Sequence, residues 1–185
     1  MSDGLVQILE GNTFVVSDQR GDIEASAVDP TGLFSFDTRY LSHWVLSVNG
    51  HRLNALSTDD LHYFQARFFL VPGTGTVYVD AKLSVIRLRE VGDGFHEELR
   101  VLNHENDPVD LTIRLDAASD FADLFEVKDA LKKKGTYHNH VSDGHLVLGY
   151  RRDTFVRETW ISSSAPADMD DKGLSFHITV PGHGE

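Results

Sequence analysis

The sequence predicts an all-β fold, an antiparallel β-sandwich with one or two short helical turns. Three observations carry this reading. Short runs of β-branched and aromatic residues alternate with period two, as on half-buried strands. Gly, Asn, Asp and Pro clusters separate those runs, giving about ten strands or more. No stretch longer than about three turns carries the 3.6-residue apolar stripe that a helical or α/β fold needs.

The elements follow in order. Leu5–Leu9 and Thr13–Ser17 read as two strands divided by Glu10-Gly11-Asn12. Tyr40–Val48 reads as one strand, and Asn49-Gly50 after it is a strong hairpin signal, with Arg52–Ser57 as the return. Tyr63–Val71 ends at the turn pair Pro72-Gly73. Val77–Val91, Phe95–Leu102 and Val109–Leu115 read as a three-strand meander. In the last of these, apolar residues hold the odd positions, so one face is buried. Tyr137–His140, His145–Tyr150, Thr154–Ser162 and Leu174–Val180 complete the set, and the small polar residues Ser162–Gly173 read as a surface loop.

The length of 185 residues fits a single domain spanning 1–185, large enough to bury a core without staples. There is no cysteine, which excludes thiol catalysis, Cys-based zinc sites and iron–sulfur clusters. A formal net charge of −12 argues against a nucleic-acid partner, because phosphate binding needs a basic surface. The basic runs are Lys132-Lys133-Lys134 and Arg151-Arg152, a pattern common on solvated turns and strand edges. No signal segment or run of roughly 20 apolar residues is visible, so a cytoplasmic protein without a membrane partner is expected.

Three stretches raise functional questions. His138 and His140 alternate on a strand, a spacing that can serve a metal, but no third ligand lies near in sequence and no metal or cofactor is expected. In Gly32–Leu41, Phe34 and Phe36 can anchor, while Asp37 and Arg39 beside Tyr40 can pair with each other or bind a polyol. In Ser119–Lys128, the acids Asp120, Asp123 and Glu126 recur at i, i+3, and Phe121 and Phe125 at i, i+4. This reads as one or two amphipathic turns lying on a sheet, the acids exposed and the rings seated. Paired carboxylates are also how glycosidases work, but those must flank a bond across a cleft.

Taken in order, these pieces resemble the N-terminal domain of bacterial and archaeal glycogen debranching enzymes of the amylo-α-1,6-glucosidase-like group. The resemblance rests on Gly11–Asp18 with Arg20–Ile23, on Gly32–Ser42, and on Asp120–Val127. Ile86–Arg89, His96–Leu99 and Leu102–His104 support it between them. It implies a supersandwich-like domain that precedes a catalytic α/α-barrel, the glycosidase proper, whose acid and base are in the barrel. The chain then corresponds to the sandwich without the barrel, and no catalytic residue can be carried over. Asp37, Arg39, Tyr40, Asp120, Asp123 and Glu126 match family motif positions, which implies roles in facing the barrel or the rim of an α-glucan cleft.

Two other readings stand beside this one. A free-standing carbohydrate-binding module would draw its rings from Trp44, Trp160, Tyr63, Tyr78 and Tyr150, although core packing explains such residues as well. An aldose-epimerase-like sandwich enzyme would draft His96 with Glu98, or His104 with Glu105, for acid–base work.

Overall fold

A computed structural model describes residues 4–25, 30–73, 82–129 and 134–185. Among these residues there are sixteen strands and one short helix, and the strands pair antiparallel throughout. The all-β expectation therefore holds.

The first sheet has four strands: β1 (Val6–Glu10), β2 (Thr13–Ser17), β4 (Gly32–Ser35) and β5 (Thr38–Leu41), in that order. The large sheet contains β6 (His43–Val48), β7 (His51–His62), β8 (Gln65–Pro72), β9 (Leu83–Val91) and β10 (Phe95–Asn103). It also contains β11 (Val109–Ala118), β15 (Asp168–Asp170) and β16 (Gly173–Val180), with β3 (Ile23–Glu24) paired to β6. Its order is β10-β9-β8-β7-β6-β11-β16-β15. A third sheet is the meander β12 (Thr136–Ser142), β13 (His145–Arg152), β14 (Phe155–Ile161). Helix α1 is Leu124–Asp129.

Three sequence expectations change. Tyr40–Val48 is not one strand: the chain leaves the first sheet at Leu41 and enters the large one at His43, making a corner between them. The expected three-strand meander is only a hairpin, since β9 pairs β10 but β11 lies between β6 and β16. The Ser162–Gly173 loop contains β15, clasped to β11 by Arg114, whose Nη1 and Nη2 each donate to Asp170 at 2.8 Å. The expected strand start at Val77 lies outside the described residues, as do Lys132-Lys133. The Asn49-Gly50 hairpin is present, both residues having positive φ.

One continuous core joins all three sheets. It takes Ile8, Val15 and Leu33 from the first sheet, Leu46, Phe68 and Leu115 among others from the large one, and Leu146 and Leu148 from the third. Within it lies a charged network. On β9 the fully buried face is Val85, Arg87, Arg89, Val91, while Ile86 and Leu88 sit half-buried on the other side. Arg87 donates to Asp22 at 2.6 Å and to Glu97 at 3.0 Å. Arg89 donates to Glu97 at 2.6 Å and to the Gly21 carbonyl. Its guanidinium lies between the rings of Phe68 and Phe95, at 5.2 and 5.1 Å, and its Nη1 has no hydrogen-bond partner. Trp44 Nε1 donates to Glu97 at 3.0 Å, Arg52 to Asp22 at 2.7 Å, and the Leu46 amide to Asp22 at 3.1 Å. The two carboxylates thus bind the 18–22 turn to β6, β7, β9 and β10.

Burial alone would raise the Glu97 pKa, but the charges of Arg87 and Arg89 and the Trp44 N–H overcome it and hold it at about 2, against an ordinary 4.5. A depressed carboxylate adds stability that is complete above its unfolded pKa and lost as pH falls through the folded one. Unfolding stability is therefore expected to fall as pH drops from about 4.5 toward 2. Glu97→Gln, which leaves the buried Arg89 without a carboxylate and Arg87 with Asp22 alone, is expected to cost about 3–5 kcal/mol near neutral pH. It should also flatten the slope in that acid window. Urea unfolding across pH reads both effects, and equal acid slopes for the two proteins would remove Glu97 as their source.

Candidate functional site

The residues singled out in Gly32–Leu41 and Ser119–Lys128 come together at one end of the first sheet. Glu10, Thr13, Ser35 and Thr38 are successive cross-strand neighbours in its last row. The row continues through an isolated bridge from Thr38 to Asp123. Beyond it project the Gly11-Asn12 and Phe36-Asp37 turns and helix α1. Backbone bonds join them: the Phe36 amide donates to Asn12 O at 2.8 Å, and the Leu124 amide to Asp37 O at 2.9 Å. On the far side the Leu9 amide donates to Tyr63 O at 2.7 Å.

Arg39 does not pair with Asp37, as extended-chain spacing had suggested. Its side chain is buried and forks onto Asp120, Nε donating to Oδ1 at 3.0 Å and Nη2 to Oδ2, while Nη1 donates to Thr31 O at 3.1 Å. The stem fits because residue 32 is glycine: a Cβ there would stand 2.5 Å from Arg39 Cδ. The backbone amide of Arg39 also donates to Ala122 O at 2.8 Å. Asp37 itself is exposed, its carboxylate 3.3 Å from the Thr38 hydroxyl.

Asp123 and Glu126 form a reciprocal helix cap. The Glu126 amide donates to Asp123 Oδ1 at 2.7 Å, and the Asp123 amide to Glu126 Oε2 at 2.9 Å. This is the capping-box pattern with Asp as the cap, and it explains the i, i+3 spacing. Asp120 lies outside the helix, so the three acids do not share a helical face.

The aromatic stripe also changes. Phe121 precedes α1, with φ of 50°, and is buried against Tyr40 at 5.9 Å and Tyr150 at 6.2 Å. Phe125 points away and is 74% exposed, and Leu124 is exposed too. Of the two rings, Phe121 is the one that seats the segment on the sandwich. Phe34 anchors, stacked on Phe14 at 4.7 Å, but Phe36, with φ of 54°, is 71% exposed. Spacing could not reveal this, because both reversals depend on single residues turning into the left-handed region.

Past Leu9 and Tyr63, the same end opens into a groove of about 470 Å³ whose walls include Glu10, Tyr63, Glu90, Asp93 and His96. Of the other rings proposed for sugar contact, Trp44 and Tyr150 are buried, Tyr63 and Trp160 are exposed, and Tyr78 lies outside the described residues. The acid–base pairs do not assemble: Glu98 takes Arg100 at 2.8 Å, and His104 bonds Ser84 at 2.8 Å. His138 and His140 do share a face, their rings 6.2 Å apart. No group of three or more metal-ligating side chains occurs among the described residues, and no helix there is long and apolar enough to cross a membrane.

Asp120→Ala leaves the buried Arg39 charge without its carboxylate. A loss of about 2–3 kcal/mol is expected, as for a hydrogen bond to a charged group. Asp123→Ala removes only the cap and should cost about 1 kcal/mol. Thermal unfolding of the two variants checks the order, and an Asp123 effect exceeding the Asp120 effect would contradict it.

No curated protein sequence matches the chain. A family model described as the N-terminal domain of some glycogen debranching enzymes matches residues 8–185. That match takes in every motif residue described above, from the Gly11-Asn12 turn to the capped helix, and the chain therefore belongs to the family of glycogen debranching enzyme N-terminal domains.

Proposed function

We propose that this chain is the non-catalytic N-terminal domain of a cytoplasmic debranching-type α-glucosidase, and that the end carrying Phe36 and α1 packs against the catalytic α/α-barrel of the parent protein. One observation carries the reading. Leu9, Phe36, Tyr63, Leu124 and Phe125, all exposed, line up along one linked edge. Exposed apolar residues gathered in this way mark an interaction surface, whereas scattered ones need no explanation.

The motif residues then have roles in building that surface. Arg39 with Asp120 fixes the segment that leads into α1, Tyr40 backs it through Phe121, and Asp123 with Glu126 starts the helix that carries Phe125. Asp37 supports Leu124 through its carbonyl and leaves its carboxylate at the rim. The adjoining groove, with an exposed Tyr63 and three carboxylates, would border an α-glucan cleft closed from the other side by the barrel. Sugar hydroxyls suit such acceptors.

Two measurements test this. The purified chain should release no glucose from a branched α-glucan, and turnover above background would sink the proposal. In the full reading frame that encodes the domain, Phe36→Ser with Phe125→Ser should weaken coupling of the two domains. Burial of such side chains is worth about 1.5–3 kcal/mol each, so the sandwich should melt several degrees lower in the longer protein. In the isolated chain the same pair should melt as the parent does, because both rings are already in water.

A further inference from the structure

The solvent face of the third sheet holds a constructed cluster that the docking edge does not use. The inner face of that sheet supplies Leu146, Leu148 and Ile161 to the core, and Thr159 and Asn139 bond across to Tyr40 O and Asp171 O. The opposite face carries two complete cross-strand rows: His138–Gly149–Glu158 and His140–Val147–Trp160. His145 flanks them, its ring edge-on to Trp160 at 5.5 Å.

Trp160 is 61% exposed, which is costly for so large an apolar ring. It is nonetheless held in place. Its Nε1 donates at 2.8 Å to Glu158 Oε2, two residues earlier on the same strand and face. The other oxygen of that carboxylate stands 3.5 Å from His138 Nε2. His138 reaches it from the far strand because residue 149, between them, has no side chain: a Cβ there would lie 2.0 Å from His138 Nε2. Val147, between His140 and Trp160 in its row, is buried although it belongs to the solvent face. The indole N–H, followed by His138, keeps Glu158 below the ordinary carboxylate range.

We infer that this face is a binding site for a neutral pyranose oligosaccharide, with the Trp160 indole as the platform and Glu158, His138, His140 and His145 as hydroxyl partners. The apolar C–H face of a pyranose needs a flat exposed ring, and its hydroxyls need donors and acceptors around that ring. Binding sites of this kind combine an aromatic wall with a few fixed polar groups. The carboxylate is already partnered by His138 and Trp160, so nothing here calls for a cationic ligand. The polar groups interrupt the apolar area that a stable protein interface would bury at its centre. The site is separate from the docking edge, and its success or failure leaves the proposed function untouched.

The chain has two tryptophans, Trp160 exposed and Trp44 buried, so two indole N–H resonances report separately in a nitrogen-15 spectrum. Titration to about 10 mM with maltoheptaose and, separately, cellohexaose should shift the Trp160 signal saturably and leave Trp44 unmoved. Which sugar acts identifies the glucan linkage preferred. Trp160→Ala, at an exposed position, should fold and lose about tenfold or more in affinity by calorimetry, as truncation of an aromatic anchor does. Trp160→Phe should retain part of it. Gly149→Ala keeps the indole but displaces His138, and should weaken binding a few-fold. Phe36→Ser with Phe125→Ser should bind as the parent does. The inference is overturned if neither sugar shifts Trp160, or if Trp160→Ala binds as tightly as the parent.

Discussion

The fold depends on charges placed where a core would be. Asp22 and Glu97 are almost fully buried, and between them they engage Arg52, Arg87, Arg89, Trp44 and the Leu46 amide. A buried ion network is poor evidence of net stability, because desolvation consumes most of its attraction. Its effect here is on register. On β9, Ile86 and Leu88 occupy the alternate face to Arg87 and Arg89, and a slip of one residue would turn that apolar face inward. A period-two pattern alone favours the slipped arrangement. Only the carboxylates waiting at Asp22 and at Glu97, directly across from Arg89, make the observed register the one with every charge answered.

The same economy appears at the edge that carries the candidate site. The chain turns a corner at Ser42, passing from the first sheet to the large one, and the Ser42 amide bonds to Ala118 O at the end of β11. This brings Thr38–Leu41 alongside Ser119–Asp123, two segments some eighty positions apart in sequence. Arg39 and Asp120 then meet as a consequence of topology. Phe121 adopts positive φ, a strained choice for a bulky residue, and the cost is offset by burying its ring among Tyr40 and Tyr150. That reversal is also what sends Phe125 outward.

Two surfaces follow with different chemistry. The edge formed by Phe36, Leu124 and Phe125 is apolar and continues the last row of the first sheet. The face around Trp160 is a mixture of indole, imidazole and carboxylate, held by side-chain bonds within one small sheet. With the two contacts proposed above, the domain would position a polymeric substrate for its neighbour.

Much of this was readable from the residues. Period-two alternation, the Asn49-Gly50 hairpin and the absence of a helical stripe determined an all-β domain, and the motif order determined its family. Those signals are local, set by backbone sterics and by which side of a strand meets water. The partners of Arg39, the buried face of β9, the place of β11 and the exposure of Phe36 and Phe125 were decided only in three dimensions. Each rests on a contact between segments far apart in sequence or on one residue's turn into positive φ, and neither leaves a periodic trace. The i, i+3 acids show the division most plainly. Their spacing announced a helical turn, but only the tertiary structure showed that Asp123 and Glu126 cap it while Asp120 holds Arg39, because a carboxylate's role is set by the donor it faces.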